Sequence, residues 1–93
     1  MTLVRNTFPA DAERALAIVR CESGFNPKAY NDKNPDGSTD GGLWQLNSVH
    51  DKQLKALGLD KYDPEDATAF ARMLYEERGF KDWVCHTKGM AYR

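Results

Sequence analysis

Apolar residues recur at helical spacing in two stretches of the chain and thin out between them. In the first stretch Ala12, Ala15, Leu16 and Val19 repeat every three or four positions, Pro9 suits a first helical turn, and Asp11 and Glu13 complement its positive end. This predicts a helix over about 9–23. In the second, Ala67, Phe70, Ala71 and Leu74 fall at i, i+3, i+4 and i+7. They follow Asp63 as N-cap, Pro64 at the first helical position and Asp66 in the first turn, and the pattern stops at Gly79. A shorter pattern, begun by Ser48 and Asp51 and ended by Gly58, predicts another helix with Leu54 and Leu57 facing inward. From Asn26 to Asp40 the chain is crowded with Asn, Asp, Pro and Gly, and Asn34-Pro35-Asp36-Gly37 reads as a type I turn between the arms of a small polar β-hairpin. The expected fold is α+β and mainly α, with three main helices and one short hairpin.

Length and charge narrow the class. A chain of 93 residues hides roughly 64% of its surface on folding, enough for one modest core. The longest apolar run, Ala15 to Val19, is far below the roughly 20 residues that span a bilayer, and no apolar signal region follows Met1. Neither membrane insertion nor a signal peptide is expected. Without linker, low-complexity tract or repeat, residues 1–93 read as a single folding unit, with excision from a longer protein left open. With 13 Lys and Arg against 14 Asp and Glu, the chain lacks the basic excess that binding a phosphate backbone requires, which argues against nucleic acid as a partner.

Two cysteines, Cys21 and Cys85, leave three readings open. A bond between them would close a loop of about 65 residues and add about 4 kcal/mol on the chain-entropy model. Two buried free thiols are the plainer reading. A zinc site with His50 and His86 has no C-x-x-C or H-x-x-x-H pair to chelate locally, so no metal is expected. His50 and His86 have no partner that the sequence places nearby and read as solvated.

The chemistry concentrates on two carboxylates. Glu22 falls in the last turn of the first expected helix, three and four positions after Val19 and Ile18, so it shares a side with apolar residues. Partial burial and the negative helix end both disfavour its charged form, which is what a general acid needs. Asp40 stands on the far arm of the hairpin among Ser38, Thr39 and Gly41-Gly42, where hydroxyls and backbone amides would keep it ionised. One acid held neutral and one held charged is the division of labour used in glycoside hydrolysis.

The string from Cys21 to Ser48, CESGFNPKAYNDKNPDGSTDGGLWQLNS, resembles the active-site region of the c-type lysozymes. It carries E-S-x-F-N at Glu22 to Asn26, D-G-S-T-D at Asp36 to Asp40, and x-G-[IL]-x-Q-[IL]-N-S ending at Ser48. The resemblance implies that Glu22 matches the catalytic acid and Asp40 the second carboxylate, with the hairpin between them, and that Gln45 and Asn47 line a sugar cleft. Lysozyme is itself the type case for this acid pair. A Cys directly before the Glu and a late W-x-C at Trp83 to Cys85 are also similar to resuscitation-promoting factors and transglycosylase-like domains, which implies a Cys21–Cys85 bridge. Trp44, Trp83, Tyr30 and Tyr75 offer stacking faces for sugar, though aromatics in a small domain more often fill its core; Trp44 and Trp83 lead, and Tyr75 ranks lower because it lies on the third expected helix.

The function this implies is a peptidoglycan muramidase that cuts the β-1,4 bond between N-acetylmuramic acid and N-acetylglucosamine without a cofactor. The alternatives are a lytic transglycosylase giving anhydromuramoyl products, and a non-catalytic glycan-binding or phage tail module. The chain departs from the c-type pattern in its length, its single cysteine pair, its lack of basic charge, and Val49-His50-Asp51 where that family has a tryptophan pair. Without positive charge to steer it toward an anionic wall, the domain is expected to be delivered by flanking domains or phage structural proteins. The expected setting is extracytoplasmic, at a cell envelope or on a virion.

Overall fold

The computed structural model describes residues 1–83. Cys85 and His86 lie outside the described residues, and with them the expected bridge. The elements run α1 (Thr2–Thr7), α2 (Ala12–Ser23), β1 (Tyr30–Asn31), β2 (Asp40–Gly41), β3 (Leu46–Asn47), a 3-10 turn (Ser48–His50), α3 (Asp51–Leu57) and α4 (Pro64–Arg78). The three strands form one antiparallel sheet in the order β1-β2-β3. The architecture is mainly helical α+β, as the hydrophobic pattern predicts.

The longest helix, α4, forms where its sequence signals place it. The Asp63 carboxylate accepts the Asp66 backbone N–H at 3.0 Å, Pro64 fills the first position, and Ala67, Phe70, Ala71 and Leu74 are buried. Glycine at the left-handed positions ends two other helices, Gly24 after α2 (φ 61°) and Gly58 after α3 (φ 71°).

Three local expectations are corrected. The first long helix starts at Ala12 rather than near residue 9: Phe8, Pro9 and Ala10 make the link from an additional helix, α1, that apolar periodicity does not reveal. Six residues carry too little pattern to show a helix; α1 is held by tertiary packing against α2 and α4, and Arg72 of α4 donates to the Thr7 carbonyl at its end. Leu57 faces outward at 48% exposure, so Leu54 alone anchors α3 in the core. Ser48 does not start that helix; it opens the 3-10 turn, whose N-cap is Asn47, with its side-chain oxygen accepting the Val49 N–H at 2.9 Å.

The core is an aromatic cluster around Phe8. Its ring lies 5.2 Å from Trp44 and 5.2 Å from Tyr75, and Phe80 and Trp83 complete the set. Such pairs add to the area they bury. Each indole N–H in this cluster is satisfied: Trp44 donates to the Thr68 hydroxyl at 3.0 Å and Trp83 to the Trp44 carbonyl at 2.9 Å.

Gly41 and Gly42 are the tightest point of the fold. A Cβ on Gly42 would stand 2.0 Å from the Lys61 carbonyl oxygen, and one on Gly41 would meet the Tyr62 ring. These glycines therefore admit the Lys61-Tyr62 segment. The sheet is thereby clamped between α2 and the segment leading into α4.

Candidate active site

A groove of about 480 Å³ runs between the sheet and the end of α4, a size ordinary for a ligand site. Glu22 reaches it from the last turn of α2, and Asp40 from β2. Residues 18 positions apart meet here because the α2 end is tied to the sheet region: the Ser23 hydroxyl shares its proton between the Val19 carbonyl (3.1 Å) and the Leu43 carbonyl (2.6 Å). Glu22 is half-buried and follows the fully buried Ile18 and Val19 on its helix.

Asp40 is fixed by the sheet register. Asn31 on β1 pairs with Asp40, and Asp40 pairs with Asn47 on β3, so three polar side chains form one cross-strand row. Asn47 Nδ2 donates to Asp40 Oδ1 at 3.0 Å, while Asn31 Nδ2 (3.2 Å) and Asn34 Nδ2 (3.0 Å) both donate to Oδ2. The sequence reading assigned this role to hydroxyls and backbone amides; side-chain carboxamides perform it instead. Ser38 acts one step further out, its hydroxyl accepting from Asn34 and Asn47 and donating to Asp36 Oδ1 at 2.6 Å. The hairpin that carries this network closes as expected, with Gly37 N–H donating to the Asn34 carbonyl at 3.0 Å. Asp36, on the groove rim, is held below the usual carboxylate range by the Ser38 hydroxyl and then the Ser38 backbone N–H.

The other candidates divide. Gln45, Asn47 and Trp83 line the groove together with Glu22 and Asp40. Gln45, however, turns its amide nitrogen to the backbone carbonyls of Ala29 (3.1 Å) and Gly42 (2.9 Å), and its own backbone has φ 49°. Asn47 likewise spends its amide on Ser38 and Asp40, so both serve the scaffold of the site. Trp44 has no accessible surface and does not line the groove; a stacking role for it is corrected to a core role, imposed by its contacts with Phe8 and Trp83. Trp83 is 3% exposed, and that remnant faces the groove. Tyr30, 60% exposed, lies off it. Among the described residues no group of three or more His, Cys, Asp or Glu could hold a metal ion.

Two groove residues escaped the sequence reading. His50 is half-buried on the groove rather than solvated, with its ring edge 5.4 Å from the buried Phe70. Burial pushes its imidazole below 6.5, the nearby Asp82 opposing that shift. Asp82 also lines the groove and pairs with Arg78 at 2.9 Å. The only signal in the sequence was their proximity to recognised residues, Asn47 and Trp83.

The chain also matches known proteins over much of its length. Residues 5–79 match the model of the transglycosylase SLT domain. The chain is 44% identical to invasion protein IagB of Salmonella typhimurium over 54 residues, 58% of this chain and 33% of that protein. It is 48% identical over 42 residues to protein IpgF of Shigella flexneri, 45% of this chain and 27% of that protein. It is 33% identical over 88 residues to the milk isozyme of lysozyme C from Equus caballus, covering 78% of this chain and 68% of that protein. The chain thus spans about a third of the invasion protein and about two thirds of the lysozyme. With four fifths of its length inside the family model and the paired carboxylates on one groove, the chain belongs to the lysozyme-like transglycosylase SLT domain family.

Proposed function

We propose that the domain cleaves the β-1,4 glycosidic bond between N-acetylmuramic acid and N-acetylglucosamine in peptidoglycan, acting by hydrolysis as a muramidase. The observation that carries this reading is the presence of Glu22 and Asp40 on one groove, with Asp40 oriented by three carboxamides. In this mechanism the Glu22 carboxylic acid gives its proton to the glycosidic oxygen as the bond from that oxygen to the anomeric carbon breaks. The Asp40 carboxylate stabilises or attacks the anomeric carbon, and a water, deprotonated by Glu22, completes hydrolysis. No step requires a cofactor.

A second reading, lytic transglycosylation, is favoured by the family match over residues 5–79. There Glu22 returns as base to take the proton of the muramic 6-hydroxyl, which attacks the anomeric carbon in place of water and leaves an anhydro sugar. Mass spectrometry of digested peptidoglycan separates the two. Hydrolysis gives products carrying one added water, and products one water lighter overturn it in favour of transglycosylation. Intact glycan strands after digestion would instead favour a non-catalytic glycan-binding module. The substrate puts the site of action outside the cytoplasm, at the cell envelope.

A further inference from the structure

We infer that His50 is a substrate-contacting specificity residue, whose imidazole hydrogen-bonds a neutral polar substituent, hydroxyl or acetamido, of the glycan in the groove. The inference rests on the reading of the groove as a glycan site and adds a contact to it. His50 lines the same groove as Glu22 and Asp40 and is half-buried. Its ring is steadied by the edge contact with Phe70, which has no accessible surface and cannot move aside. No described residue hydrogen-bonds either ring nitrogen, and although His50 precedes α3, its side chain does not cap that helix.

Because the described residues leave both ring nitrogens without a bond, a polar group of a ligand in the groove can pair with them without displacing a bond among those residues. The other polar groups around the hairpin side of the groove are already engaged: Asn34 and Asn47 with Asp40, Gln45 with backbone carbonyls, and Ser38 with Asp36. Against these engaged groups, the imidazole has both a donor and an acceptor to offer. Burial favours its neutral form, which presents one N–H and one lone pair. That pattern matches a sugar hydroxyl or acetamide, each of which also donates and accepts.

The test measures binding of a short N-acetylglucosamine oligomer by calorimetry, in a Glu22→Gln background so that nothing is cut. His50→Ala is expected to weaken binding about fivefold to tenfold, the worth of one hydrogen bond. His50→Gln, which keeps a donor and an acceptor, is expected to bind within about twofold of His50, while His50→Phe, which keeps the ring against Phe70, is expected to fail like alanine. Binding by the alanine or phenylalanine form equal to that of His50 overturns the contact and leaves the groove assignment standing. Absence of binding by every form, His50 included, overturns the groove assignment itself and the contact with it.

Discussion

Asp40 and Asn47 lie directly opposite one another on paired strands, and the Asn47 side-chain amide donates to Asp40 Oδ1 at 3.0 Å. The same amide donates to Ser38, and the Asn47 side-chain oxygen Oδ1 accepts the Val49 N–H at the start of the turn that follows. One residue therefore orients the second carboxylate and starts the segment bearing His50. Asn47→Ala is expected to lower kcat about tenfold and stability by about 1 kcal/mol through the lost cap. Asn47→Asp keeps the capping oxygen but sets a carboxylate against Asp40, and a larger fall in kcat is expected. Wall-clearing kinetics on both variants check this, and an unchanged kcat in each would remove Asp40 orientation from the mechanism.

Glu22→Gln is expected to lower activity by at least about 100-fold, the contribution of a positioned acid, with a melting temperature close to that of the unchanged chain. Asp40→Asn should depress hydrolysis more than it depresses formation of anhydro products. Strong residual turnover in the glutamine variant would refute the acid assignment.

Gly42 is expected to tolerate no side chain. Its φ of 84° is strained for any other residue, and the Cβ of alanine would overlap the Lys61 carbonyl oxygen. The neighbour is backbone and cannot swing away, so Gly42→Ala should destabilise by about 3 kcal/mol or more. Urea denaturation measures it; a loss below about 1 kcal/mol would contradict the clamp between sheet and Lys61.

The pH dependence of stability follows from His50. Its folded imidazole titrates below 6.5, chiefly through burial, with Asp82 and Asp51 opposing and Arg78 and Lys61 reinforcing the shift. Glu22, Asp36 and Asp40 share the groove with it. As pH falls through 6.5 the unfolded chain takes this proton before the folded one, so stability drops until the folded form is also protonated. Between pH 7.5 and 5 the unchanged chain should lose more melting temperature than His50→Gln. Equal losses would show that His50 is not the group responsible.

The sequence by itself determined the long helices, the polar hairpin and the two carboxylates, because each leaves a local signature. Asp63-Pro64 opens α4 through its own side-chain bond, Gly24 and Gly58 end helices through conformations that other residues resist, and the Glu22 and Asp40 motifs are contiguous strings. Tertiary structure decided what no window of neighbours contains. The six residues of α1 hold as a helix only against α2 and α4. The strand register joined Asn31, Asp40 and Asn47 across 16 positions of chain. Packing around Phe8 buried Trp44 while leaving an edge of Trp83 on the groove, although both are tryptophans beside recognised motifs. His50 acquired its environment from Phe70 and Asp82, 20 and 32 residues away. Caps and helical periodicity are set by neighbours within a turn or two, whereas burial and carboxylate partners depend on which distant surfaces exclude water together.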